Sequence, residues 1–215
     1  AGKTTLFNLL TGVYEPSEGT VTLDGHLLNG KVPYKIASLG LGRTFQNIRL
    51  FKDLSVLDNV LIAFGNHHKA HVLASFLRLP AYYKNEEELK AKALELLKIF
   101  DLDKEAETLA KNLAYGQQRR LEIVRALATE PKILFLDEPA AGMNPQETAE
   151  LTALIRRIKN EFNITIMLIE HDMSLVMEVT ERIYVLEYGR LIAHGTPDEI
   201  KNDKRVIEAY LGGEA

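Results

Sequence analysis

The amino-acid sequence contains no cysteine, which excludes disulfide bonds, zinc thiolate sites and thiol catalysis. No run of apolar residues approaches the roughly 20 residues that a membrane-spanning helix needs. Acidic residues outnumber basic ones, 30 to 26, so there is no basic excess of the kind that binds nucleic acid. With 215 residues, of which 46% are hydrophobic, the chain can form one sizeable domain, with or without a subdomain.

The stretch at residues 133–142, ILFLDEPAAG, is the most informative part of the sequence. Its apolar residues 133–136 predict a strand that is buried on both faces. The strand ends at two adjacent carboxylates, Asp137 and Glu138, and Pro139 then turns the chain. Ligands of open α/β sheets bind just beyond the carboxyl ends of the strands, where an acidic pair can serve a cation or a proton transfer. A solvated acid pair is the simpler alternative.

The chain begins with AGKTTLFNLL, in which residues 2–4 match the last three places of the phosphate-binding pattern GxxxxGK[ST]. In that interpretation Gly2 lets the backbone approach a phosphate, Lys3 reaches the β- and γ-phosphates, and the Thr4 hydroxyl binds Mg²⁺. A helix is predicted to continue from Thr5. The first glycine of the pattern would precede the sequence, so we expect an N-terminally truncated P-loop. A match this short also occurs by chance.

Turn residues predict short strands in two places, and the first pair is expected to form a small antiparallel β element. In the first, apolar residues alternate between 21 and 28 around the hairpin turn Asp24-Gly25. In the second, short strands at 182–187 and 191–194 flank Tyr188-Gly189. A capping box is predicted to start a helix just beyond, at residues 196–199.

Apolar residues at helical spacing predict several further helices, at residues 35–39, 55–64, 85–100, 117–128 and 147–162. The amphipathic helix at 85–100 is expected to be scaffold. Three histidines, His67, His68 and His71, follow the second of these segments. Their spacing matches no particular metal site, so a solvated loop is the preferred interpretation.

Two other segments carry candidate functional residues. In NLAYGQQRRLEIVRALATEP, residues 112–131, Gly116 stands where a helix begins, and free backbone N–H groups there bind anions. A plain glycine start of a helix is the alternative. The apolar run 164–169 predicts a second buried strand, which ends at Glu170 and His171. In a parallel sheet His171 would lie at the same edge as Asp137, which favours a functional role.

Five motifs in order resemble the nucleotide-binding subunit of an ABC transporter, and the resemblance covers nearly the whole chain. They are GKTT at the start, Gln46, LAYGQQ at 113–118, LFLDEP at 134–139 and EHD at 170–172. This order is much more specific than any one motif. Within that family, the chain is most similar to the ATPase of branched-chain amino acid importers, in the segments RTFQNIRLF, NLAYGQQRRLEIVRAL, LDEPAAGMNP, IEHDM and IEAYLG.

The resemblance implies a role for each motif residue. Glu138 is the expected general base, assisted by His171 at the γ-phosphate and by Gln46. Three residues are expected at Mg²⁺: Thr4, Gln46 and, through water, Asp137. The residues expected to bind ATP, the last four of them facing the ATP of a partner subunit, are Gly2, Lys3, Thr4, Thr5, Gln46, Asp137, Ala114, Tyr115, Gly116 and Gln117.

The sequence departs from the family pattern in two of these motifs. The usual signature is LSGGQ, and here Ala114 replaces serine and Tyr115 replaces the first glycine, which removes one hydroxyl contact to phosphate. In the D-loop, residues 141–144, Asn144 stands where aspartate is commoner, which keeps an acceptor but removes a charge. The aromatic residue that stacks on adenine in this family would precede residue 1.

The resemblance implies an α/β fold for residues 1–215 as a single ABC ATPase domain. It has a P-loop NTPase core with a mixed, mainly parallel sheet, a small antiparallel β element, and a helical subdomain across about residues 55–128. In the expected function, ATP and Mg²⁺ drive hydrolysis coupled to transport. The expected partners are a second, head-to-tail ATPase subunit (the same chain or a related one), membrane permease subunits and, indirectly, a periplasmic or extracellular substrate-binding protein, but no nucleic acid. The expected location is peripheral, on the cytoplasmic face of the membrane.

Three alternatives stay open from the sequence. The first is the ATPase of an importer for urea or a short amide, since this subunit does not touch the cargo. The second is a non-transport ABC ATPase acting on DNA or the ribosome, although the sequence has no long coiled-coil insertion, zinc cysteines or second cassette. The third is a binding module without turnover, because only part of the P-loop is present.

Overall fold

A computed structural model describes residues 2–64 and 80–211 of the chain. Its strands, in chain order, are β1 (Thr22–Leu23), β2 (His26–Leu27), β3 (Leu41–Arg43), β4 (Ile133–Asp137), β5 (Thr165–Ile169), β6 (Ile183–Glu187) and β7 (Arg190–Gly195). Its helices are α1 (Lys3–Leu10), α2 (Pro33–Ala37), α3 (Val56–Phe64), α4 (Pro80–Ile99), α5 (Tyr115–Leu127), α6 (Pro145–Phe162), α7 (Met173–Val179), α8 (Pro197–Lys201) and α9 (Lys204–Leu211). Two 3₁₀ turns, Asp103–Glu105 and Ala110–Asn112, lie between α4 and α5.

The central sheet has the order β3-β4-β5, and both pairings are parallel. Gly42 lies opposite Leu134 in one ladder, and Asp137 lies opposite Ile169 in the other. The two predicted strands are therefore confirmed as neighbours. β4 is buried over most of its length, whereas β5, at the edge of the described sheet, is buried only at Ile169. Because they run in the same direction, the residues that follow them meet at one edge of the sheet.

The two faces of β4 pack against different layers. Leu134 and Leu136 are fully buried in a large apolar cluster with residues of α3, α4, α5 and α6. Phe135, which points to the opposite face, packs on Phe7 of α1 with ring centroids 4.6 Å apart. This alternation places helices on both faces of the sheet, and the contact with Phe7 holds α1 against the strand that ends at Asp137.

The predicted antiparallel element is present, and the two other predicted short strands also pair in antiparallel fashion. β1 pairs with β2, and β6 pairs with β7. In each tight turn the two central residues have positive φ, 50° and 78° at Asp24-Gly25 and 45° and 77° at Tyr188-Gly189. Positive φ at both positions matches the right-handed twist of a two-residue hairpin.

Several helix boundaries differ from the predicted ones. α2 begins at Pro33 rather than residue 35, and α6 begins at Pro145 rather than residue 147, because proline suits the first turn of a helix. α4 begins at Pro80, five residues before the predicted start. The three histidines at positions 67, 68 and 71 lie outside the described residues. Among the described helices, none is long and apolar enough to cross a membrane.

Candidate functional site

The acidic pair lies where β4 leaves the sheet. Asp137 is the last residue of β4 and is only 2% exposed. The backbone N–H of Glu138 donates to the carbonyl of Ile169 at 2.9 Å, which extends the pairing by one residue. Glu138 then adopts a φ of 46°, which is uncommon for a residue with a side chain and turns the chain away from the sheet. Its carboxylate is therefore only partly buried, while that of Asp137 stays inside.

The structure brings Gln46 and Glu138 together. Gln46 follows β3 on an exposed segment, and its Nε2 donates to Oε2 of Glu138 at 3.1 Å. The two residues are 92 positions apart in the chain. Because β3 and β4 are parallel neighbours, the segments that follow them leave the sheet side by side. The side-chain amide of Gln46, whose chemistry alone indicated no particular role, thus contacts the candidate general base.

The partial P-loop is held at the same edge of the sheet. Gly2 caps α1 with a φ of 105°, a conformation that favours glycine. The Nζ of Lys3 donates to the backbone carbonyl of Glu170 at 3.0 Å, so the ammonium group lies just beyond β5. Thr4 and Thr5, in the first turn of α1, are exposed. These four residues present N–H, ammonium and hydroxyl donors, which are the groups that bind phosphate.

His171 is positioned by the carboxylate of Glu170, a residue for which the sequence predicted no role. The side chain of Glu170 is 1% exposed, with Oε1 accepting from the N–H of Ala140 at 2.9 Å and Oε2 from the N–H of His171 at 3.1 Å. The imidazole of His171 is itself 66% exposed. Glu170 therefore joins the turn that follows Glu138 to the end of β5 and leaves the imidazole free to meet a ligand. A glutamate at the end of an apolar run was the only sequence signal for this role.

Asp137 has a buried cationic partner that sequence reasoning also missed. Nη2 of Arg43, the last residue of β3, lies 3.0 Å from Oδ2 of Asp137, with the two side chains 8% and 2% exposed. The other end nitrogen of Arg43 donates to Asn8 at 2.9 Å and to Thr11 at 2.8 Å, both on or next to α1. Arg43 thus ties the P-loop helix to the end of β4.

The other oxygen of this carboxylate fits a metal site. Among the described residues, Oδ1 of Asp137 is buried and has no hydrogen-bond partner. Leaving such an oxygen unpaired costs about 1–3 kcal/mol, and a hydrated cation would satisfy it. No cluster of three or more His, Asp or Glu that could hold a metal occurs in the described part of the chain. The donor set of Asp137, Thr4 and Gln46 is instead the oxygen-based kind that Mg²⁺ uses when it shares its shell with phosphates.

The predicted signature residues lie at the start of α5. Ala114 is the N-cap, and its N–H donates to Oε1 of Gln117 at 3.1 Å. The hydroxyl of Tyr115 donates to the carbonyl of Ala141 at 3.0 Å. Gly116 is the second residue of the helix, so the predicted helix start is confirmed. In the described part of the chain, no hydrogen bond joins residues 114–117 to the P-loop residues or to Asp137, which belong to the edge of the sheet.

A cleft of about 270 Å³ lies beside the signature residues. One wall is formed by the start of α5, and the other by the D-loop and the first turns of α6. Asn144 of the D-loop caps α6, since its Oδ1 accepts from the N–H of Glu147 at 3.0 Å and the Glu147 carboxylate accepts from its N–H. The departure from aspartate at this position therefore keeps a helix cap.

These features define the class of the protein. A helix start that offers phosphate-binding groups, an Asp-Glu pair and a histidine meet at the carboxyl edge of a parallel sheet that is covered by helices on both faces. This is the arrangement of a P-loop nucleotide-binding protein with the motif order of an ATP-binding cassette.

The chain belongs to the ABC transporter family. The profile of the family described as "ABC transporter" matches residues 1–141, and a second one, "Branched-chain amino acid ATP-binding cassette transporter", matches residues 190–215. The predicted family and fold class are therefore confirmed. The role of each site residue stays a prediction.

Named relatives cover almost the whole chain. It is 48% identical over 212 residues to the high-affinity branched-chain amino acid transport ATP-binding protein BraF of Pseudomonas aeruginosa. It is 49% identical to the corresponding protein LivG of Salmonella typhimurium. In both cases the match covers 99% of this chain and 83% of the relative.

Solved structures of ATP-binding cassettes have the same fold as this chain. An ATP-binding cassette of an ABC transporter, MJ1267, superposes with a TM-score of 0.81 at 33% identity, over 97% of this chain and 83% of that one. The ATP-binding cassette MJ0796, a dimer in a post-hydrolysis state bound to ADP and Pi, superposes with a TM-score of 0.75 at 26% identity. That match covers 91% of this chain and 81% of MJ0796.

Proposed function

We propose that this chain is the ATP-hydrolysing subunit of an importer for branched-chain amino acids. The observation that carries the proposal is the register of β4 and β5, in which Asp137 lies opposite Ile169. This register brings Asp137 and Glu138 to the same edge of the sheet as His171 and the P-loop lysine. The transported substrate is inferred from the names of the relatives, which cover nearly the whole chain.

In this proposal, Lys3 exchanges its contact with the Glu170 carbonyl for the β- and γ-phosphates of ATP. Thr4, Gln46 and, through water, Asp137 would hold Mg²⁺, which would supply positive charge to the phosphate oxygens. Glu138 accepts a proton from the attacking water as general base, and its contact with Gln46 fixes the direction of the carboxylate. The exposed imidazole of His171 donates to the γ-phosphate and orients the same water.

The assembly follows from the position of the signature residues. Ala114, Gly116 and Gln117 line a cleft beside the D-loop, and in the described part of the chain no hydrogen bond joins them to the P-loop. In this proposal, residues 114–117 therefore cap ATP held by a second subunit. Two head-to-tail subunits thus complete two sites, and each chain alone has incomplete ones. The dimer of MJ0796 with ADP and Pi supports this arrangement.

The remaining partners follow from the transport function. Closure of the dimer with ATP, and its opening after hydrolysis, move membrane permease subunits, which receive the cargo from a periplasmic or extracellular binding protein. We assign contact with the permease to the groove near Gln46, and we assign to the helices within residues 55–128 the role of a helical subdomain of the single ATPase domain. The subunit then lies peripherally on the cytoplasmic face of the membrane.

Uptake measurements test this function. Cells that lack the gene should lose high-affinity uptake of labelled leucine, isoleucine and valine. The full-length wild-type protein should restore uptake, whereas the Glu138→Gln variant should not. Restored uptake of urea or a short amide, with no effect on leucine, would assign the chain to the competing importer. Full recovery of leucine uptake by Glu138→Gln would contradict the role of hydrolysis.

A further inference from the structure

Arg119 and Glu122, three residues apart on α5, form a charged pair that is buried against the segment holding Gln46. Arg119 is 0% exposed and Glu122 is 4% exposed. Nη1 of Arg119 donates to the carbonyl of Phe45 at 2.8 Å and to Glu122 at 3.1 Å. Nη2 donates to the carbonyl of Gln46 at 2.9 Å. A single guanidinium therefore holds two consecutive carbonyls of the segment after β3.

Glu122 holds the same segment through its N–H groups. Its Oε1 accepts from the N–H of Phe45 and from that of Arg49, each at 3.3 Å. The acidic and basic members of the pair thus satisfy the acceptors and donors of residues 45–49 together. Without residues 45–49, most hydrogen bonds of these two buried charges would be lost, so the pair depends on the segment being in place.

Tyr115 connects this pair to the D-loop. Its hydroxyl donates to the carbonyl of Ala141 at 3.0 Å and accepts from Nη2 of Arg119 at 3.2 Å. The residue that replaces a glycine of the usual signature therefore links three segments of one chain: the signature, the D-loop and the segment of Gln46.

We propose that Arg119 is a positioning residue for hydrolysis, which sets Gln46 against Glu138, and that Tyr115 extends this control to the D-loop. The side chain of Gln46 is exposed and, among the described residues, makes one hydrogen bond, to Glu138. Its position is therefore set by its backbone, which Arg119 and Glu122 hold. The inference rests on the proposed ATPase function.

Arg119→Lys is the discriminating variant, because an ammonium group keeps the charge but cannot bond two carbonyls and a carboxylate in the planar fork. We expect kcat for ATP to fall by about 10-fold or more, with KM within about 2-fold, since a displacement of about 1 Å at a catalytic group costs up to 100-fold. The same substitution in a Gln46→Ala background should have no further effect on kcat, because the two residues act through one contact.

Arg157→Lys is the matched control. Arg157 also donates to a carbonyl of another segment, that of Ile99 at 3.0 Å, and to a carboxylate one turn away, Glu161 at 2.6 Å, but on an exposed surface. It should leave kcat unchanged. An equal loss of kcat from Arg119→Lys in the wild-type and Gln46→Ala backgrounds would overturn the positioning role and leave a general effect on folding.

Hydrogen exchange of the nucleotide-free, full-length protein gives a measurement that does not depend on turnover. The amides of Phe45 and Arg49 should exchange at least about 10-fold faster in Arg119→Lys, while those of β4 should not change. Tyr115→Phe should leave these two amides protected and instead speed exchange in the D-loop. Unchanged exchange at positions 45 and 49 would overturn the inference even if the wild-type protein is an active ATPase. A wild-type protein without ATP turnover would contradict the proposed function instead, and exchange would still decide whether Arg119 holds the segment.

Discussion

Nη2 of Arg43 lies 3.0 Å from Oδ2 of Asp137, and both side chains are nearly inaccessible to solvent. This pair crosses from β3 to β4 and leaves only Oδ1 of Asp137 for a metal. Among the partners that the structure describes, Arg43 is the one buried cation beside Asp137, so its removal would leave a buried carboxylate without a counter-charge.

Arg43→Met should therefore lower the free energy of unfolding by about 3–5 kcal/mol, the usual effect of removing one member of a buried ion pair. Urea denaturation of the nucleotide-free protein measures this change. Arg156→Met is the control, because Arg156 pairs with Glu178 at 3.0 Å on the surface, where both side chains are 51% exposed. Exposed pairs contribute about 0–1 kcal/mol. Equal, small losses in the two variants would contradict a structural role for the Arg43–Asp137 pair.

Glu138→Gln should retain ATP binding and ATP-dependent dimerisation, but lower the rate of hydrolysis by about 100- to 10,000-fold. The carboxamide has nearly the same shape, but it cannot accept a proton from the attacking water. Phosphate release and equilibrium binding of ATP separate these two effects in the full-length protein. Glu130→Gln is a matched control, since Glu130 has a φ of 47°, close to the 46° of Glu138, but is exposed after α5. Near-normal turnover in Glu138→Gln would remove Glu138 as the general base.

Glu170→Gln should lower stability by about 1–3 kcal/mol and also slow hydrolysis. Each carboxylate oxygen of Glu170 accepts from one backbone N–H, at Ala140 and at His171. A carboxamide offers one oxygen, so its NH₂ group would face one of these N–H groups without an acceptor. Thermal or urea unfolding measures the first effect and phosphate release the second. The exposed Glu178→Gln should change neither, and an equally silent Glu170→Gln would show that these two bonds do not position His171.

Stability should depend on pH through Glu122. Burial raises the pKa of the Glu122 carboxyl above its ordinary value, and the neighbouring Arg119 offsets this effect only in part. Arg125, whose own pKa is lowered by burial, is the other charged group that Glu122 influences. Between the unfolded pKa of about 4.3 and the raised folded pKa, the native state binds more protons than the unfolded state. The contribution of Glu122 to the free energy of unfolding is therefore lost as pH rises through this window.

The difference in free energy of unfolding between the wild type and Glu122→Gln should accordingly decrease as the pH rises from about 4.3 toward neutrality. Urea denaturation at a series of pH values gives this slope. The substitution also changes the free energy of unfolding by an amount that does not vary with pH, which includes the loss of the charge beside Arg119. This constant amount does not affect the slope. A slope of opposite sign would mean that Arg119 outweighs burial at this carboxylate.

Local sequence patterns predicted the elements that depend only on neighbouring residues, such as continuous apolar runs and turn dipeptides. The apolar runs 133–136 and 164–169 predicted two strands of a parallel sheet, and the structure confirms both strands and their parallel pairing. The second strand is buried only at Ile169, because it lies at the edge of the described sheet. The first hairpin was predicted because Asp24-Gly25 supplies residues suited to positive φ. Around Tyr188-Gly189 only the two short strands were predicted, and the structure shows that they pair as a hairpin. Helix starts were less accurate where proline rather than the apolar period decided the first residue, as at Pro33 and Pro145.

The buried charges could not be predicted in this way. Helical periodicity places Arg119 and Glu122 among polar residues, and such residues ordinarily face solvent. They are buried because a segment more than 70 positions away supplies their hydrogen bonds. Tyr115 was predicted to face the nucleotide of a partner, which stays a prediction. Its hydroxyl contact with Ala141 depends on how α5 packs beside the D-loop.

By itself, the sequence determined the family, the order of the motifs and the chemical groups available at the site, because these depend on residue type and spacing. The tertiary structure alone decided how those groups are held. Arg43 and Asp137 are 94 positions apart, and Gln46 and Glu138 are 92 apart. Such contacts arise when the register of a parallel sheet brings distant strand ends together, and no local pattern in the chain records that register.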